Sequence, residues 1–156
     1  MRKIALMLIT FLVVSAVNLL PFSGTDVAKL HPVEVLAVSR ESGYLAIHTD
    51  TGLVGRGEDL RTAFQRLERI STGEVFFDTA NYLLISQDCL DAVEGLSCYL
   101  RPACQVYLYN DKELLEDVAK YLENHKSHIT LLDYRKGDRK LPVLTIHGEE
   151  YYLNDQ

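Results

Sequence analysis

The stretch "TGLVGRGEDLRTAFQRL", residues 51–67, places Gly52, Gly55 and Gly57 directly ahead of a helical run. Two readings compete. A glycine-rich loop opening a helix is how several nucleotide enzymes cradle phosphate. A glycine-rich strand-to-helix turn is a purely structural device. The spacing here is G-x-x-G-x-G, not the G-x-G-x-x-G of dinucleotide sites, and no G-K-[ST] follows. Glu58 and Asp59 occupy the helix start. Two carboxylates there satisfy the positive end of the helix dipole and repel a phosphate. The expectation is a turn, with positive φ at one or more of the glycines.

Downstream, Leu60, Ala63, Phe64, Leu67 and Ile70 recur at three and four residues, which predicts an amphipathic helix lying on a sheet. Upstream, Val33–Ala37 and Tyr44–Thr49 read as two strands of a hairpin turned at Ser42–Gly43. Asn81–Ser86 reads as a buried strand, and Glu74–Phe77 is ambiguous. Residues 87–100 read as a helix stopped by Pro102, with Ser86, Gln87 and Asp88 as capping candidates. "CQVYLYN", residues 104–110, is a strand; 111–126 is a helix capped by Asn110 or Asp111. "DYRKGDRK" is a polar loop, and "LPVLTIHGEEYYL" a terminal hairpin. The order is ββαβαβα plus a C-terminal β-hairpin, an α/β or α+β sandwich.

Composition bounds the rest. Of 156 residues, 47% are hydrophobic and 24% charged, which suits one folded domain. Sixteen basic against twenty-two acidic residues argue against a nucleic-acid binder, whose footprint is a basic face. The first residues depart from this average. Arg2 and Lys3 precede an uncharged run from Ile4 to Leu20, in which Ile4, Leu8, Phe11, Val14 and Leu19 are representative. A spanning helix needs about 20 apolar residues, with a range of roughly 17–25. "VSA" at Val14–Ala16 would serve as a signal-peptidase site, but the apolar character continues to Phe22, which favours an uncleaved anchor. The division is then an anchor over 1–22, a tether over 23–32 and an α/β domain over 33–156. The positive-inside rule places the C-terminal domain outside the cytoplasm. Without Arg2 and Lys3 that part keeps fourteen basic and twenty-two acidic residues, a net of −8, which anionic lipid would repel.

The candidate chemistry is sparse. Cys89, Cys98 and Cys104 are odd in number. A helix over 88–100 separates Cys89 from Cys98 by about 13 Å, too far to bond; Cys98–Cys104 stays open beside free thiols. Apolar neighbours suggest packing roles for Cys89 and Cys98. His125 and His128 are three apart near a helix end, where His125 can also serve the terminal carbonyls; no third metal ligand is set by spacing. A thiol enzyme would pair a cysteine with His48 or His147. Glu58, Asp59, Asp78, Asp88 and Asp91 sit near helix starts or turns, where capping accounts for them. No catalytic, cofactor or metal residue is assigned. Among nine tyrosines, Tyr107 and Tyr109 share a strand face and Tyr151 and Tyr152 end the chain; these four are the candidate partner surface. A small-ligand site would instead be a pocket lined by Tyr44, Tyr82 or Tyr107.

Residues 33–125, with "EDLRTAFQRL", "YLLIS" and "VYLY" in order, resemble the N-terminal domain of the C subunits of spore germinant receptors. Members carry a lipid-modified cysteine and further domains, where this chain has the apolar run Ile4–Leu20. The resemblance implies a domain outside the inner membrane, belonging to a nutrient-sensing complex and performing no catalysis. The expected function is a membrane-anchored interaction domain with protein partners in a membrane complex, in sporulation or germination of a Gram-positive bacterium. The alternative is a small-ligand-binding domain of a sensor or transport assembly.

Overall fold

The computed structural model describes residues 30–109, 111, 117–147 and 150–154. The expected anchor and residues 23–29 of the tether lie outside them. The predicted hairpin is present as β2 (Val35–Glu41) and β3 (Tyr44–Thr49), with Glu41 opposite Tyr44. Ser42 at φ 51° and Gly43 at φ 86° form its two-residue turn. Positive φ at both central residues matches the twist of the strands they join.

The glycine stretch is a turn at Gly52, with the expected positive φ, followed by a strand where the sequence suggests more turn. Val54–Gly57 is a strand, β4, paired antiparallel with β3 so that Ile47 faces Gly55 and Leu45 faces Gly57. Only Gly52 of the three takes positive φ, +79°, in the β3–β4 turn. Gly55 and Gly57 are required for another reason. Helix α1 (Leu60–Ile70) lies directly on β4, and an added Cβ on Gly55 would stand 2.3 Å from the Ala63 carbonyl oxygen. On Gly57 it would stand 2.5 Å from the Ala63 nitrogen. Asp59 caps α1 by accepting the Thr62 N–H at 2.7 Å, the role expected of a carboxylate there.

The chain is mixed α/β. A seven-stranded sheet runs β4-β3-β2-β6-β7-β8-β9, where β6 is Tyr82–Ile85, β7 Gln105–Tyr109, β8 Val143–His147 and β9 Glu150–Asn154. β2, β6, β7 and β8 are parallel, with antiparallel strands at both edges. The ambiguous segment is strand β5 (Glu74–Phe76), which pairs in parallel with β1 (Leu30–Pro32) in a separate two-stranded sheet.

Helices cover both sheet faces. On one face, Ala63, Phe64 and Leu67 of α1 join Val93 and Leu96 of α2 (Val93–Leu96) and Leu131 and Tyr134 of α4 (Leu131–Lys136). They bury Leu36, Val38, Leu45, Ile47, Leu83, Ile85 and Val106. Phe64 is stacked on Tyr99 at 4.0 Å between ring centroids and meets Phe77 edge-on at 4.9 Å. On the other face, Val118 and Leu122 of α3 (Val118–Asn124) cover Val35, Tyr82, Leu84, Tyr107 and Tyr109.

Two expectations are corrected. The helix over 87–100 is a 3-10 segment, Gln87–Ala92, followed by the single turn α2. Ser86 spends its hydroxyl on Asp88 instead of capping, and Gly95, a poor helix former, falls inside the run. The polar loop "DYRKGDRK" begins inside α4. Thr130 Oγ1 accepts the Asp133 N–H, Asp133 Oδ2 accepts the Thr130 N–H, both at 3.2 Å, and Gly137 at φ 108° ends the helix. Of the helix expected over 111–126, Val118–Asn124 is helical; Asp111 accepts the Ile146 N–H at 3.0 Å, and the expected cap Asn110 and residues 112–116 lie outside the described residues.

Gly55→Ala forces α1 away from β4 and is expected to cost about 1–3 kcal/mol in urea denaturation, the usual penalty of overpacking. An unchanged midpoint would contradict the close approach.

Candidate functional site

The tyrosines expected to form a partner surface are divided by the fold. Tyr107, Tyr109 and Tyr151 are buried, and only Tyr152 is exposed. A buried ring packs; it does not present itself to a partner. Tyr107 is the anchor of a local network. Its hydroxyl accepts the Ser127 N–H at 2.7 Å and lies 2.9 Å from Gln105 Oε1 and 3.1 Å from the His125 carbonyl, either of which can take its proton. Burial pushes the phenol well above its ordinary range. The ring thus pins the chain after α3 to the sheet.

The proposed pocket tyrosines are not brought together. Tyr44 sits at the hairpin turn, Tyr82 lines a cleft of about 360 Å³ with Glu34, Asp117, Lys120 and Glu123, and Tyr107 is enclosed. Burial, then Glu123 and Glu34, push the Tyr82 hydroxyl upward.

Cys89 and Cys104 do not meet His48. No disulfide joins the three thiols. Cys89 and Cys104 are buried in the core beneath α1 and α2, whereas His48 projects from the other face of the sheet, as strand alternation from Leu45 and Ile47 requires. Burial raises both thiols, that of Cys104 to about 12, which disfavours the nucleophilic thiolate. Cys98, expected to pack, is exposed. The side chain of His147 lies outside the described residues. His125 Nδ1 is 2.9 Å from the Tyr121 carbonyl and the ring stacks on Tyr121, the helix-end role; His128 is exposed. Among the described residues no three metal-ligating side chains gather, and no helix is long and apolar enough to cross a membrane. Arg40 is held by the Gln87–Ala92 segment: its Nη2 meets Asp91 Oδ2 and its Nε donates to the Asp88 backbone carbonyl, both at 3.0 Å, while the Asp88 carboxylate accepts the Ser86 hydroxyl.

What the fold does assemble is a polar group on the hairpin and β4. Because Gly55 and Gly57 face α1, Arg56 projects to the opposite side, beside His48 and Glu41. Arg56 Nε donates to Glu41 Oε2 at 2.8 Å and His48 Nε2 lies 3.0 Å from Glu41 Oε1. Arg56, against the opposing effect of burial and with help from His48, holds the Glu41 carboxyl below its ordinary value. Exposed Tyr44 joins Arg56, Glu58, Thr62 and Arg66 around a depression of about 510 Å³ at this edge. Of these residues Tyr44, His48 and Glu58 are candidates from the sequence; Glu41 and Arg56 are not, because a turn over 54–57 hides which face of the sheet they share. Had Val54–Gly57 been read as a strand, alternation would have put Arg56 on the His48 face.

A second depression, of about 530 Å³, lies between α1 and α2 and is lined by Arg40, Leu45, Leu60, Asp91, Cys98 and Tyr99 among others. Compared with models of known families, with curated proteins and with solved structures, the chain finds no match.

Two tests follow from this geometry. Tyr107→Phe strands the buried Ser127 N–H, and a loss of about 1–3 kcal/mol in denaturant is expected; a neutral outcome would mean the hydroxyl anchors nothing. Glu41 has a folded pKa below its unfolded one, so its contribution is complete above the ordinary carboxylate pKa and disappears as pH falls through the folded value. Glu41→Gln should therefore destabilise by about 0.5–1 kcal/mol at neutral pH, and the deficit should shrink as pH falls below the ordinary glutamate range. A deficit independent of pH would refute the ion-pair assignment.

Proposed function

We propose that this chain is a membrane-anchored domain, held outside the cytoplasm, that binds a protein partner in a membrane complex of a Gram-positive spore-former, in sporulation or germination. The location rests on the sequence: a basic start, the uncharged run Ile4–Leu20, and an acidic remainder. The biological setting rests on the pattern resemblance of residues 33–125 to germinant-receptor C subunits.

The observation that carries the binding role is the edge formed by Tyr44, Arg56 and Arg66. Tyrosine and arginine dominate the residues that carry binding energy at interfaces. Arg56 is already held by Glu41, so it loses less side-chain freedom on association. Two guanidinium groups beside a phenol suit carboxylates or carbonyls on the partner. The alternative, a small-ligand domain, is favoured by the depression between α1 and α2, whose volume falls within the usual range of roughly 300–1,000 Å³.

Crosslinking in native membranes followed by mass spectrometry should recover a consistent protein neighbour. Tyr44→Ala with Arg56→Ala should weaken that association by about thirtyfold, the loss of about 2 kcal/mol at a central contact. Recovery of the protein with no consistent neighbour would refute the binding role.

A further inference from the structure

We infer that the domain rests against the bilayer on the end of the sheet where its parallel strands begin, with Ile70, Phe76 and Leu132 seated in the lipid interface; this rests on the anchored reading above. Five large apolar or aromatic side chains are exposed among the described residues: Tyr44 (47%), Ile70 (53%), Phe76 (36%), Leu132 (42%) and Tyr152 (45%). The three without a hydroxyl share one end of the molecule.

Topology places them there. Val35, Tyr82 and Gln105 stand side by side at the starts of β2, β6 and β7. The β1–β5 pair adjoins that end, with the Val33 N–H bonded to the Phe76 carbonyl. α4 begins at the same end: the Leu131 and Leu132 N–H groups donate to the carbonyls of Cys104 and Pro102, just ahead of β7. α1 starts where β4 stops and runs back, so it finishes there too. Ile70 is the last member of the inward stripe containing Phe64 and Leu67, yet it overhangs the core instead of entering it. Phe76 points away from the core side that Val75 occupies.

This is also the end at which the chain arrives from the membrane. Leu30, the first residue of β1, pairs with Glu74. Seven residues, 23–29, separate it from the anchor boundary at Phe22, and fully extended they span at most about 25 Å. A domain of this size is about 35 Å across. The end that receives the tether is therefore the end that meets lipid, and three exposed side chains with no polar tip stand on it. Glu74 and Asp78 lie nearby and exposed, so contact rests on apolar insertion and needs no anionic lipid.

The chain contains no tryptophan, so a single introduced one reports its own surroundings. The full chain, carrying Ile70→Trp, Phe76→Trp or Leu132→Trp singly, is reconstituted in phosphatidylcholine vesicles with or without brominated acyl chains. Tyr44→Trp, at the hairpin end, is the reference. The expected result is blue-shifted emission, most of it lost to the brominated lipid, at 70, 76 and 132, and neither effect at 44. Chain that floats with the vesicles but shows no quenching at 70, 76 and 132 overturns this orientation while leaving the anchor standing. A blue shift without lipid quenching also overturns it and assigns the surface to a protein contact. Chain that fails to float with the vesicles refutes the anchored reading, and the orientation with it.

Discussion

The structure depends on the backbone contact between α1 and β4. Gly55 and Gly57 let the helix approach until an added Cβ on either would collide with Ala63. That approach drives Phe64 and Leu67 into the core over Leu45 and Ile47, where Phe64 meets Tyr99 and Phe77. It also determines what the other side of the strand displays. With two bare positions inward, Arg56 faces outward, across from Ala46 and beside His48 and Glu41. One steric constraint thus closes the core and arranges the polar surface.

The two ends of the sheet differ in chemistry. One ends in the Ser42–Gly43 turn and carries Tyr44, Arg56 and the Glu41 ion pairs. The other carries Ile70, Phe76 and Leu132, and receives the chain through β1. In the proposed orientation, a tether at the apolar end would hold the tyrosine–arginine edge away from the bilayer, where a partner could reach it. The proposed orientation and the proposed binding edge are therefore compatible, although each stands on different residues.

Much of this was legible in the sequence where periodicity was long and undisturbed. The α1 stripe, the buried β6 run and both hairpins gave their identity through spacing alone. β4 was not legible as a strand, because a four-residue segment half made of glycine has turn composition, and its glycines answer to a helix that spacing does not reveal. α4 was hidden by its polar outer face, although Thr130, Asp133 and Gly137 carry the capping signals at both ends. The continuous helix over 87–100 failed although its apolar pattern suits one, and Gly95, a poor helix former, sits in its short α-helical turn. The tyrosine surface failed for another reason: alternation gives the shared face of Tyr107 and Tyr109 but not whether α3 covers it.

One labelling experiment bears on fold and location together. Cys98 is exposed, while Cys89 and Cys104 are buried beneath the helices on the α1 face. A membrane-impermeant maleimide added to intact producing cells should modify one thiol per chain, at Cys98, and all three only after denaturation. Modification that requires breaking the cells would contradict a domain held outside the cytoplasm. Ready modification of Cys89 and Cys104 in the native chain would contradict the core that α1 closes.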